Sequence, residues 1–256
     1  MKISWSTQTC FLLPQLQHQQ HQMLQFYLAP LYNLLLTLID SSANGSTELS
    51  KFRDNEENLR ASLDQGLLSQ AHCVISYMTV DAFLTRDMKK AARLSDTYRE
   101  HFRKNDAPSP QYTEYYNYFY DGLISFFFAR TTGEECWRKR GDEVYHQMEN
   151  WSRHSVWNFE NNLLLLKAER HNTLQEPNAA IEAYEASIES ARKHRFIHEE
   201  AIACELAAYF CARCGNQKKA RELFKQSYVA YMSWGAHGKA TSILKFLDRD
   251  VGGSYS

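Results

Sequence analysis

The stretch Glu176–Lys239, which opens EPNAAIEAYEASIESARKH and closes SYVAYMSWGAHGK, repeats itself at a shift of 40 residues. Ala180 falls over Ala220, Ala183 over Leu223, Tyr184 over Phe224, Ser187 over Ser227 and Ile188 over Tyr228. Within each copy these positions stand at i, i+3, i+4, i+7 and i+8, which is one stripe of an α-helix and not the alternation of a strand. Each copy therefore reads as an amphipathic helix. Its small first residue admits a neighbouring backbone, and its aromatic residue one turn later fills the space beside it. A period near 40 with small and aromatic positions on the second helix predicts an all-α fold of stacked helical hairpins, a tetratricopeptide-like α-solenoid with a slightly stretched period.

The pattern extends in both directions. Gly141, Val144, Tyr145 and Met148 precede Ala180, Ala183, Tyr184 and Ser187 by 39 positions, as a weaker third copy, and Ala91, Leu94, Ser95 and Tyr98 form a fainter fourth. Between them lie the first helices of the hairpins, Asn158–Thr173 and His198–Arg213, in which Leu166 and Ala168 answer Leu206 and Ala208. Further helices are expected near 54–63, 67–85, 87–104, 112–130 and 134–155, with a stop at Asp106-Ala107-Pro108. Gly215 and Gly235 have the position of left-handed helix caps, and 236–248 reads as a short capping helix. Residues 24–40 read as helix, with the apolar window Met23–Ile39 broken at Pro30, and Ser41–Thr47 reads as a turn. The expected organisation is a frayed segment 1–22 with its Gln/His tract Gln15–Gln22, a repeat domain 23–248 and a tail 249–256.

Composition narrows the function classes. Lys+Arg 29 against Asp+Glu 30 leaves a formal charge of -1, with no basic or acidic tail, so nucleic acid is not an expected partner. The window Met23–Ile39 holds Gln25, Pro30, Asn33 and Thr37 and falls short of the roughly 20 clean residues of a membrane span. Six cysteines (Cys10, Cys73, Cys136, Cys204, Cys211, Cys214) are too sparse for a disulfide scaffold, and no apolar run long enough for a signal peptide opens the chain. The expectation is a reduced, cytoplasmic protein without membrane contact, in which the triplets Asn44-Gly45-Ser46 and Asn150-Trp151-Ser152 are chance matches to the glycosylation pattern.

Five ordered motifs carry a resemblance. They are Phe119-Tyr120-Asp121-x-Leu123, Trp151-x-x-His154-x-x-x-Asn158-Phe159, Ala168-Glu169-Arg170, Glu199-Glu200-Ala201-x-Ala203-x-Glu205-Leu206-Ala207-Ala208-x-Phe210, and Trp234-Gly235-Ala236-x-x-Lys239. Over about residues 112–248 the series resembles the tetratricopeptide-like helical segment of large signalling proteins. Those proteins join a Ser/Thr-kinase-like domain, an AAA-type ATPase, this segment, a GAF domain and a histidine kinase. The resemblance implies a connector or sensor segment in signal transduction, standing alone as a truncated relative or an excerpt of a longer gene. No phosphate loop, HRD or DFG signature accompanies it, so the kinase and ATPase activities do not transfer.

Local motifs point to no catalysis, metal or cofactor. His198-Glu199-Glu200 lacks the continuation of a phosphoacceptor box, and position 202, where a zinc protease has its second histidine, is Ile202; a solvated acidic first turn is expected. Cys211-Ala212-Arg213-Cys214 has no second ligand pair to complete a zinc site and reads, with Cys204, as packed small apolar residues. The candidate partner-binding residues are Tyr120, Asp121, Trp151, Asn158, Glu169 and Glu205. Trp151, Asn158, Glu169 and Glu205 either hydrogen-bond the next repeat, the favoured reading, or face a concave groove and hold a peptide; Trp234-Gly235 reads as architectural.

The expected function is a non-catalytic scaffold that binds a protein partner or neighbouring domain. The alternative is a sensor whose helix 112–130 lines a pocket for a small apolar ligand that stiffens the array, expected as a closed aromatic cavity of about 300 Å³ or more beside Tyr116, Tyr120 and Phe127.

Overall fold

The computed structural model describes residues 30–39, 55–103 and 111–247. The expectations for 1–22, for 23–29, for the turns at Ser41–Thr47 and Asp106–Pro108, and for the tail lie outside these residues. Among the described residues the chain is all-helical, without a strand. We number the helices α1 (30–39), α2 (Asn55–Asp64), α3 (Leu68–Leu84), α4 (Met88–Tyr98), α5 (Gln111–Thr132), α6 (Glu135–His154), α7 (Val156–Thr173), α8 (Pro177–His194), α9 (Ile197–Arg213), α10 (Gln217–Trp234) and α11 (His237–Leu247). A π-helical turn, Arg99–Arg103, continues α4. No helix among the described residues is long and apolar enough to cross a membrane.

Consecutive helices pack on one another, and α3 with α5, α5 with α7 and α7 with α9 also touch. The chain thus builds helix pairs whose first members pack side by side. Small residues set the spacing. Ala180, Ala220 and Gly141 are buried at the same phase of α8, α10 and α6, with Ala91 in α4. At Gly141 a methyl group would come within 2.6 Å of the Phe126 ring, and at Gly122 within 2.7 Å of Leu166, so α5, α6 and α7 approach closely enough to require glycine there. The repeated serines do identical work. Ser187 donates to the carbonyl of Asn161 at 2.7 Å and Ser227 to that of Ala201 at 2.9 Å, each reaching back 26 residues to the preceding helix.

Helix ends recur at half the sequence period. Gln175, Arg195, Gly215 and Gly235 all have positive φ, and so do Gly66 and Arg86. Behind five of these residues the next N–H reaches back five positions, Leu67 to Ser62, Glu176 to His171, Phe196 to Ala191, Asn216 to Cys211 and Ala236 to Tyr231, at 2.8–3.0 Å. This is the left-handed cap that satisfies the last carbonyls of a helix and turns the chain sharply. The caps at Gly215 and Gly235 stand where the sequence places them. Those at Gln175 and Arg195 have no glycine to announce them.

Candidate functional site

Four carboxylates are buried in the described structure: Asp121, Glu169, Glu199 and Glu205. An isolated buried carboxylate is costly, so the partners of each decide what it does. Asp121, fully buried in α5, accepts from Arg99 Nη1 at 2.7 Å, Arg103 Nη1 at 3.2 Å, Arg140 Nε at 2.7 Å and Ser95 Oγ at 2.5 Å. Arg99 and Arg103 stand four residues apart in the π-turn, a spacing that puts both on one side of the segment as it would in a regular helix. Arg103 also lies over the Tyr118 ring at 3.7 Å. Burial alone would raise the Asp121 carboxyl, but Arg140, Arg99 and Arg103 together hold it below the usual range. α4, its π-turn, α5 and α6 are tied together at this one side chain.

Glu169 in α7 has the same role in the next hairpin. It pairs with Arg130 of α5 at 2.6 Å and accepts from the Tyr184 hydroxyl of α8. The space lined by Arg130, Glu169, Arg86, Phe127, Tyr209 and their neighbours measures about 20 Å³, room for about one water and not for a peptide. Glu205 in α9 accepts from Tyr231 of α10 and from Lys239 of α11, both at 2.7 Å.

Tyr120 is buried and packs edge-on against Phe83 and Phe119. Trp151 is half-buried against Tyr118 and Tyr115, while exposed Asn158 donates to Ser155 at the start of α7. Asp121, Glu169 and Glu205 therefore bond neighbouring helices, and the six candidates do not gather on one open face. The partners of these three acids stand 15–39 residues away on other helices, so no local motif in the sequence announces the pairing.

The first turn of α9 departs from expectation. Glu200 meets Arg192 at 2.6 Å near the surface, but Glu199 is only 8% exposed and is not solvated. Its Oε1 accepts from Asn162 Nδ2 at 3.1 Å, its Oε2 has no hydrogen-bond partner, and burial pushes its carboxyl up to about 7 against the opposing pull of the Asn162 and Asn161 side-chain amides. Helix pairing turns this face of α9 onto α5 and α7, which a single-helix reading does not anticipate. The cysteines also divide. Cys204 and Cys211 are buried, with burial pushing their thiols up to about 12 and about 11, whereas Cys214 caps α9 and is exposed rather than packed.

Beside Glu199 lies a half-enclosed cavity of about 320 Å³, lined by Leu34, Ser76, Tyr77, Val80, Tyr116, Tyr120, His198 and Trp234. The size and the two α5 tyrosines match the expected aromatic cavity, but the space is half-enclosed rather than closed and Phe127 does not line it; that ring faces Arg86 near the opposite end of α5. The cavity draws on α1, α3, α5, α9 and α10, which adjacency in sequence does not connect. Burial lowers the His198 imidazole, leaving it neutral at neutral pH. No group of three or more His, Cys, Asp or Glu placed to hold a metal ion occurs among the described residues. No protein-family model, curated protein or solved structure matches the chain.

Proposed function

We propose that the chain is a non-catalytic tetratricopeptide-like α-solenoid that couples protein domains in signal transduction, in the manner its five motifs imply. The observation that carries this reading is the repetition of one joint. The same serine-to-carbonyl bond ties α8 to α7 and α10 to α9, and left-handed caps recur every 20 residues from Gln175 to Gly235. Stacks of this kind present rigid surfaces, with affinity concentrated in a few aromatic anchors.

The anchor the geometry favours is Trp157. It is 61% exposed beside Val156 at 55%, at the start of α7, with its ring 4.1 Å from that of His194. Pull-down with the full chain and with a Val156→Ser, Trp157→Ser double variant tests this surface. A loss of at least tenfold in recovery of a specific partner, with unchanged circular dichroism and melting temperature, is expected. Equal recovery removes that edge, and ATP hydrolysis or phosphotransfer abolished by one point change removes the non-catalytic reading.

A second reading, a ligand-responsive sensor, is favoured by the cavity. At about 320 Å³ it lies within the range of small-molecule sites, about 300–1,000 Å³, and a ligand there would bridge five helices at once. A ligand-dependent rise in melting temperature that disappears in Trp234→Leu is the expected sign.

A further inference from the structure

We propose that the cavity bounded by Tyr77, Tyr116, Tyr120, His198 and Trp234 binds a small organic cation, an alkylated or quaternary ammonium group, with Glu199 as its counter-charge. This rests on the ligand-responsive reading above and names the chemical class of the ligand.

Three observations carry it. The first is the wall. Three tyrosines, a tryptophan and an imidazole surround the space, with Leu34 and Val80 completing an apolar lining. Aromatic faces carry negative quadrupole density and attract a cation that has lost much of its hydration, the arrangement by which quaternary ammonium groups are recognised. An anion would meet the same faces unfavourably.

The second is the charge inventory. Asp121 has three arginines, Glu169 has Arg130 and Glu205 has Lys239. Among the described residues no lysine or arginine pairs with Glu199, and its Oε2 is buried without a hydrogen bond. The groups facing it are Asn161 and Asn162 from α7, Tyr115, Tyr116 and Tyr120 from α5, and His198 from its own helix. All are neutral at neutral pH, because burial lowers the imidazole and raises the phenols, whose ionisation the Glu199 charge further opposes. Glu199 is thus the buried acid in this structure whose counter-charge the described chain does not supply.

The third is placement. Glu199 Oε1 lies 3.6 Å from Nε2 of His198, a wall residue, and its charge is felt at the phenols of Tyr116 and Tyr120, also wall residues. A cation among the rings would share the low-dielectric surroundings of this carboxylate, where attraction is far stronger than in water. It would favour the ionised carboxylate, so affinity rises with pH. With a carboxyl near 7, the ionised fraction increases about tenfold between pH 6 and pH 8.

The test titrates the full chain with choline and with its neutral isostere 3,3-dimethylbutanol, followed by intrinsic tryptophan fluorescence and calorimetry at pH 6 and pH 8. Support is saturable choline binding at least tenfold tighter than the alcohol, strengthened about tenfold at the higher pH. Glu199→Gln, which keeps the hydrogen-bond acceptor and removes the charge, is expected to weaken choline at least tenfold and leave the alcohol unchanged. Tyr116→Leu, at the exposed rim, should weaken choline while the chain stays folded. Equal binding of both probes, indifferent to Glu199→Gln and pH, overturns the cation proposal and leaves the sensor reading standing. Failure of both probes to bind the folded wild type overturns the two together.

Discussion

At the scale of single residues, the two acids Asp121 and Glu199 behave oppositely because their neighbours differ. Asp121 is held ionised by three arginines, so Asp121→Asn leaves those cations facing one another inside the protein. The expected loss is about 3–5 kcal/mol in denaturant unfolding, the usual cost of removing one partner from a buried ion cluster. Its folded carboxyl lies below the ordinary value near 3.8, so the stability it contributes is present above that value and is lost as pH falls through the folded value. Glu199 has the reverse sign. Its folded carboxyl near 7 exceeds the ordinary 4.5, so the folded state takes up a proton that the unfolded chain has released, and stability falls as pH rises through that window. Glu199→Gln is expected to raise stability by up to about 3 kcal/mol at pH 8 and to have little effect at pH 4, a difference that thermal melts at the two values would read. A pH-independent effect of this substitution would contradict the burial argument. Neither behaviour is legible in the sequence, where Glu199-Glu200 looks like any acidic first turn.

At the scale of elements, helix caps and helix crossings carry the repeat. Arg195 takes a left-handed conformation at φ 61° to close α8, which costs an L-residue about 1–2 kcal/mol and glycine almost nothing. Arg195→Gly should therefore stabilise by up to about 1 kcal/mol, after allowing for the entropy glycine gains in the unfolded chain. A drop in melting temperature would show that the arginine side chain contributes something its exposed position does not reveal. Gly141 makes the opposite case. Alanine there gains about 1 kcal/mol in helix propensity but drives a methyl group into the Phe126 ring, and overpacking of this kind costs about 1–3 kcal/mol. Gly141→Ala should lower the denaturation midpoint or leave it unchanged, never raise it by the full propensity gain. The glycine was legible as a repeat position standing where Ala180 and Ala220 recur; its aromatic neighbour was not, because the contact lies between α5 and α6.

At the scale of the whole molecule, segments distant in sequence close on one another. Arg86, at the cap between α3 and α4, lies 4.6 Å from the Tyr209 ring of α9 and 5.7 Å from the Phe127 ring of α5. Linear repeat arrays unfold as chains of nearest neighbours, whereas a contact across more than 100 residues makes the ends depend on each other. Arg86→Ala should therefore lower the denaturant slope of equilibrium unfolding or split the transition, and an unchanged slope would show that nearest-neighbour packing alone sets cooperativity. The sequence by itself determined the helices and their phase, because the spacing of small, aromatic and apolar residues within one helix is local and repeats. It also determined the caps at Gly215 and Gly235, since a positive φ favours glycine wherever it occurs. Only the tertiary structure decided that Asp121, Glu169 and Glu205 have cations of their own while Glu199 has none and stands behind His198, a wall residue of the aromatic cavity. Charge balance inside a protein depends on which side chains meet across helices, and helical periodicity records which face turns inward but not what it finds there.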